Sequence, residues 1–202
     1  MTDTDLKPLD LSRPATTTAT AARQLAVDAC PPFLLNHSER TFAWACLLAD
    51  FDSMSFDREL LYVGAVLHDL GLTPAYDGPR CFEREGALAA GRFAASHGWA
   101  ADRCEHLAES IRLHMQPRVI PEDGAEGYLL SEATSCDVRG HRLSEIDPNT
   151  ARRVLERFPR LGFGEAFIKL LEDQARTKPG CLADLYLERG IAERIRSAPF
   201  DT

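Results

Sequence analysis

Apolar positions along this chain recur every three or four residues, the period of a helix with one buried face. Long alternating runs of β-branched residues are absent, so no sheet is expected. Thr16 to Cys30 reads as a first helix closed by Pro31-Pro32. A second begins at Asn36-His37 and runs to Phe51, with His37, Thr41, Trp44, Leu48 and Phe51 on its inward face. Asp57 stands as N-cap to a third, in which Leu61, Ala65 and His68 share a face and Gly71 ends the segment. Thr73 to Arg80, with Pro74, Gly78 and Pro79, reads as a loop. Helices follow over Glu83 to His97 and Ala101 to Met115, and over a stretch from about Gly127 to Val138 that Gly140 ends. Leu107, Ile111 and His114 share one inward face, and Leu130, Ala133 and Asp137 share another.

Further on, Asp147-Pro148 opens a helix with its proline in the first turn, and Phe158-Pro159-Arg160 closes it. Phe163 to Arg176 is amphipathic, with Phe167, Leu170 and Leu171 inward, and residues 181–195 supply a last helix or two. The pattern predicts an all-α single domain, a bundle of about eight or nine helices. Residues 1–15 read as a flexible N-terminal tail and 16–202 as the folded domain with a C-terminal helical extension.

Composition narrows the partners. At 202 residues, 45% apolar and 27% charged, the chain has the makeup of an ordinary globular domain with a real core. A formal charge of −8 without a run of like charges argues against a nucleic-acid groove or an anionic membrane surface. It leaves a small-molecule substrate as the expected partner, and apolar faces on the C-terminal helices permit a homo-oligomer. None of the 6 cysteines forms a C-x-x-C pair, and several fall within helical patterns, which suits reduced core thiols. With no signal-like apolar core near Met1 and no run of ~18 apolar residues, a cytoplasmic location is expected.

The candidate chemistry sits where ionisable side chains meet apolar faces. His68 and Asp69 end an apolar helix, and a carboxylate at the edge of a core is costly unless compensated. His37 and Asp137 fall on the inward faces of two other helices. Imidazoles and carboxylates projecting from facing helices are the layout of a metal site inside a helical bundle. Two of each suit a mixed N/O site for zinc, iron or manganese rather than a thiolate-type structural zinc. Four separately satisfied core polar groups would be the inert reading.

The order His37, His68-Asp69, Asp137 resembles the signature of the HD-domain superfamily of metal-dependent hydrolases. Asn36-His37-Ser38-Glu39-Arg40-Thr41, Leu67-His68-Asp69-Leu70-Gly71-Leu72-Thr73 and Phe82-Glu83-Arg84-Glu85-Gly86-Ala87 are similar to its cyanamide-hydratase-like branch. So are Phe158-Pro159-Arg160 and Ala175-Arg176-Thr177-Lys178-Pro179, so that the likeness runs from Phe33 to Pro179. The resemblance implies a helical HD domain with one divalent ion, zinc by preference, held by His37, His68, Asp69 and Asp137. It implies hydration of a small nitrile such as cyanamide to urea by metal-activated water. Glu83 and His114 are the candidates for proton transfer or substrate orientation. The alternatives are a phosphohydrolase acting on a nucleotide or phosphate ester and a non-enzymatic ligand-binding module. Arg40, Arg80 and Arg84 are candidate clamps for a phosphate, although no Gly-rich cradle is present. Arg40 reads more simply as an exposed helix residue, Phe158 to Arg160 as a packing turn, and Trp44, Phe51, Phe93 and Phe167 as plain core.

Overall fold

The structure, a computed structural model, describes residues 11–200. The expected tail falls largely outside the described residues, and positions 11–15 lead into the first helix without regular structure. Among the described residues the helices are α1 (Thr17–Ala29), α2 (Pro32–Phe51), α3 (Arg58–Leu67), α4 (Phe82–Ser96) and α5 (Ala101–Leu113). They continue as α6 (Ala125–Arg139), α7 (Pro148–Arg157), α8 (Phe163–Thr177), α9 (Leu182–Glu188) and α10 (Ile191–Arg196). No strand is present among the described residues, as the periodicity predicts. The final segment divides in two because Gly190, at φ 75°, takes the left-handed conformation that ends one helix and starts the next. No helix among the described residues is long and apolar enough to cross a membrane.

Local chemistry explains several helix starts. The side chains of Thr16, Asp57 and Asp147 accept hydrogen bonds from the backbone N–H groups of Ala19, Leu60 and Thr150 at 3.1, 3.0 and 2.8 Å. Helix α2 starts earlier than its inward pattern suggests. Pro31 is extended and Pro32 occupies the first turn, where a missing N–H costs nothing.

Helix α2 is the axle of the fold, packed against α3, α6 and α8. Leu34, Phe42, Trp44, Cys46 and Leu48 are all buried along it, on more than one face, as befits a helix surrounded by others. Its far end leaves the core. Phe51, expected inward, is 59% exposed, and the Arg142 guanidinium lies 5.8 Å over its ring. Helices α8, α9 and α10 fold back so that α8 meets α2 and α10 meets both α6 and α8.

Two glycines let the turn after α3 pack closely on α4. A Cβ at Gly71 would lie 2.1 Å from the Phe82 carbonyl oxygen, and one at Gly86 would lie 2.5 Å from the His68 carbonyl oxygen. Only hydrogen in place of a side chain allows that approach. The 3-10 turn Leu70–Leu72 is thereby clamped against the start of α4.

Candidate metal centre

Helix α3 ends at Leu67, and His68 still has helical backbone angles. Asp69 departs to φ −98° and ψ 11° before the 3-10 turn. Adjacent side chains on a continuing helix diverge; this break brings both to one side, where the His68 Nε2 to Asp69 Oδ2 distance is 3.2 Å. His37 reaches the same point from the second turn of α2. Its Nε2 is 3.2 Å from His68 Nε2 and 3.5 Å from Asp69 Oδ2. His114, at the end of α5, brings a third imidazole, with Nε2 3.9 Å from Asp69 Oδ1. All four side chains are buried.

Hydrogen bonds on the far side of each ring assign its tautomer. His68 Nδ1 donates to the Ala65 carbonyl at 2.8 Å, and His114 Nδ1 donates to the Ile111 carbonyl at 2.5 Å. His37 Nδ1 donates to Asp137 Oδ2 at 2.7 Å. With hydrogen on Nδ1, each neutral ring turns a bare Nε2 lone pair toward Asp69. Neither Asp69 oxygen has a hydrogen-bond partner. Lone pairs and a carboxylate gathered away from water repel one another unless a cation lies among them. Ligand atoms of His37, His68 and Asp69 lie within 4.8 Å of one another, so this set could hold a divalent ion, and its donor chemistry fits one. Outward donation from Nδ1 is also how metal-binding histidines are usually oriented.

Electrostatics within the protein point the same way. Burial pushes the His114 imidazole down to about 3, aided by His68. Burial also lowers His37, against the upward pull of Asp137. Burial raises the Asp69 carboxyl, but His68, His37 and His114 together outweigh it and hold the group down to about 2. Burial likewise lowers His68, and Asp69, the Ala65 carbonyl and Asp137 together outweigh it in the upward direction. A proton on His68 Nε2 and a cation beside it therefore compete for one lone pair.

Asp137, expected as a fourth ligand, faces the other nitrogen of His37 instead. Its oxygens accept from Arg40 Nε at 2.7 Å, Arg40 Nη2 at 2.8 Å and Trp44 Nε1 at 2.7 Å, besides His37. That set consumes the carboxylate's lone pairs and turns it away from Asp69. Arg40 and its neighbours hold the Asp137 carboxyl far below the usual carboxylate range despite burial. Arg40 itself is fully buried, contrary to its reading as an exposed residue. Its Nη1 donates to the carbonyls of Phe158 and Pro159 at 2.9 and 3.3 Å. Arg160 Nη1 donates to the Asp137 carbonyl at 2.9 Å, so Phe158-Pro159-Arg160 is a brace behind the centre. The turn also delivers Phe163, whose ring stacks on His37 with centroids 4.6 Å apart.

A cavity of about 490 Å³ opens from this centre, within the range of small-molecule sites. His37, His68, Asp69 and His114 line its buried end. Thr134 and Val138 of α6, Phe167 and Leu171 of α8, and Tyr186 of α9 form its walls. Glu83 is not among the lining residues. Its carboxyl is buried, raised by that burial, and its Oε2 has no hydrogen-bond partner. Arg40, Arg80 and Arg84 do not reach the cavity either, and Arg80 pairs with Glu85 at 3.2 Å.

Sequence reasoning missed the Trp44 indole as a donor to Asp137 and the role of the 158–160 turn. It also missed a group of arginines at the cavity mouth. The inward face of α2 carried a signal for Trp44, which shares it with His37. The motif likeness marked Phe158-Pro159-Arg160 without giving it a role, and nothing local marks the arginines, which tertiary folding assembles from distant segments.

The sequence model of the HD domain matches residues 34–155, which spans α2 to α7. Two Saccharomyces cerevisiae proteins, cyanamide hydratase DDI2 and cyanamide hydratase DDI3, are each 27% identical to the chain over 171 residues. That stretch covers 82% of this chain and 76% of each relative.

Proposed function

We propose, on the premise that the chain belongs to the HD-domain family of metal-dependent enzymes, that it adds water to the carbon of a small nitrile, as in cyanamide to urea. The observation that carries the reading is the convergence of His37 Nε2, His68 Nε2 and the donorless Asp69 carboxylate at the closed end of a cavity. Likeness to the two yeast hydratases supplies the choice of a nitrile.

Zinc is the ion assigned, because two imidazoles and a carboxylate with room for a further partner suit it. A bound divalent ion supplies acidity to water, lowering its pKa from about 15.7 to roughly 7. The protein's residues do the rest. His37, His68 and Asp69 hold the ion, and Asp137 fixes the His37 ring through Nδ1. His114 Nε2 faces the same space as a neutral acceptor, suited to orienting a water by accepting its hydrogen. Phe167 and Leu171 exclude bulk water from the closed end. Glu83 is not assigned a proton-transfer role, since it does not line the cavity. The 6 free cysteines suit a reducing, cytoplasmic setting.

The test is incubation of zinc-loaded protein with cyanamide and, separately, with a panel of nucleotides. Urea release that disappears in Asp69→Asn supports the reading. Phosphate or nucleoside release without urea would overturn it in favour of a phosphohydrolase.

A further inference from the structure

The cavity mouth differs in charge from the chain as a whole, which carries 31 acidic residues against 23 basic ones. Arg118 follows α5, Arg139 ends α6, Arg189 follows α9, and Arg194 lies in α10; all four line the cavity and are exposed. Among the described residues, the side chains of Arg118, Arg139 and Arg189 have no ion-pair or hydrogen-bond partner, and Arg194 touches only the Arg189 carbonyl. Other arginines hold carboxylates: Arg142 pairs with Asp52 and Glu145, and Arg103 with Asp57 and Glu59. The one carboxylate of the mouth, Glu132, is taken by Arg142 and His141 at 3.2 and 3.5 Å.

These groups share one cavity. The Tyr186 hydroxyl, which donates to the Met115 carbonyl at 2.7 Å, feels the charges of Arg139, Arg189 and Arg194 together. Three guanidinium groups from separate segments thus line one cavity with Tyr186. Size gives an independent argument. At roughly 30 Å³ per water-sized unit, cyanamide fills on the order of a fifth of the 490 Å³. The rest of the cavity leads from the metal centre to the arginines.

We infer that Arg118, Arg139, Arg189 and Arg194 form an oxyanion-binding mouth, so that the substrate carries a carboxylate or phosphate at the end remote from the reacting atom. Guanidinium groups bind either anion by paired N–H donors, and unpaired ones incur no cost for abandoning a protein partner. Placing the anion at the mouth orients the other end of the molecule toward His37, His68 and Asp69. The mouth stands on its own geometry, while the identity of the reacting end as a nitrile rests on the function proposed above.

Calorimetric binding to zinc-loaded full-length protein tests this, with cyanoacetate, inorganic phosphate and neutral propionitrile as probes. Wild-type protein should bind at least one anion more tightly than propionitrile, with affinity falling as salt rises. The double variant Arg139→Gln/Arg189→Gln should lose about tenfold or more in anion affinity, at unchanged zinc content and melting temperature. Preference for cyanoacetate or for phosphate identifies which oxyanion the mouth serves. Anion affinity indifferent to the double substitution, or equal binding of propionitrile, overturns the inference. Arginine-dependent anion binding without hydration of any nitrile leaves the mouth standing and removes the nitrile reading. Hydration of cyanoacetate and propionitrile at equal KM in wild type and variant does the reverse.

Discussion

Replacing Arg40 with methionine keeps most of the side chain's volume and leaves Asp137 with only the His37 ring and the Trp44 indole as donors from α2. The structure makes the loss large. Arg40 contributes two hydrogen bonds to a carboxylate that is itself fully buried, at 2.7 and 2.8 Å, and satisfies the carbonyls of Phe158 and Pro159 as well. Removing one partner of a buried ion pair leaves an uncompensated charge and costs about 3–5 kcal/mol. For a domain of this size each kcal/mol lowers the melting temperature by roughly 2–4 °C, so a fall of about 6–20 °C is expected. The assay is thermal unfolding by circular dichroism in chelator, so that no ion competes for the carboxylate. Adding Asp137→Asn to Arg40→Met removes the stranded charge, and the double variant should be more stable than the Arg40→Met single. A single variant within about 1 kcal/mol of wild type, or a double variant less stable than the single, would refute the reasoning. Either result would mean that water or another cation reaches Asp137 and that the buried pair is not what braces His37.

Other residues give equally direct outcomes. In His68→Ala the metal content should fall at least tenfold, because one Nε2 donor of the converging set is gone; elemental analysis reads this, and full occupancy would contradict the assigned ligands. Gly71→Ala drives a Cβ against the Phe82 carbonyl at 2.1 Å and should cost about 1–3 kcal/mol or more in urea unfolding, with reduced metal occupancy. A neutral result there would show that the turn is not clamped. Burial pushes the Cys30 thiol up to about 12 from an ordinary 9.0, so alkylation at pH 9 should run about five hundredfold slower in native than in unfolded protein. Because the folded value lies above the unfolded one, the linked stability is complete below pH 9 and declines as pH climbs toward 12. A native Cys30 as reactive as a free thiol would contradict the burial.

The legible part of this protein was the part encoded by spacing. The faces Leu61-Ala65-His68, Leu107-Ile111-His114 and Leu130-Ala133-Asp137 are all buried, and the caps at Asp57 and Asp147 bond as their residue types suggest. Helical period tells which way a side chain points because each residue turns through a fixed angle within its own helix. The same rule failed at Phe51, since periodicity does not say where a helix runs out of neighbours. Arg40 escaped for a related reason. A long cation on a helix face is normally solvated, and what buries it is a carboxylate 97 residues away and carbonyls 118 and 119 residues away.

By itself, then, the amino-acid order determined an all-helical chain and which imidazoles and carboxylates turn inward. Tertiary structure decided what those groups do to one another. It set His37, His68 and Asp69 about a common point, placed Asp137 behind His37, kept Glu83 out of the cavity and gathered arginines at its mouth. The physical reason is range. Helix period and capping act over three or four residues, whereas a lone pair's partner and a charge's neighbours are fixed by how helices pack, which no local pattern encodes.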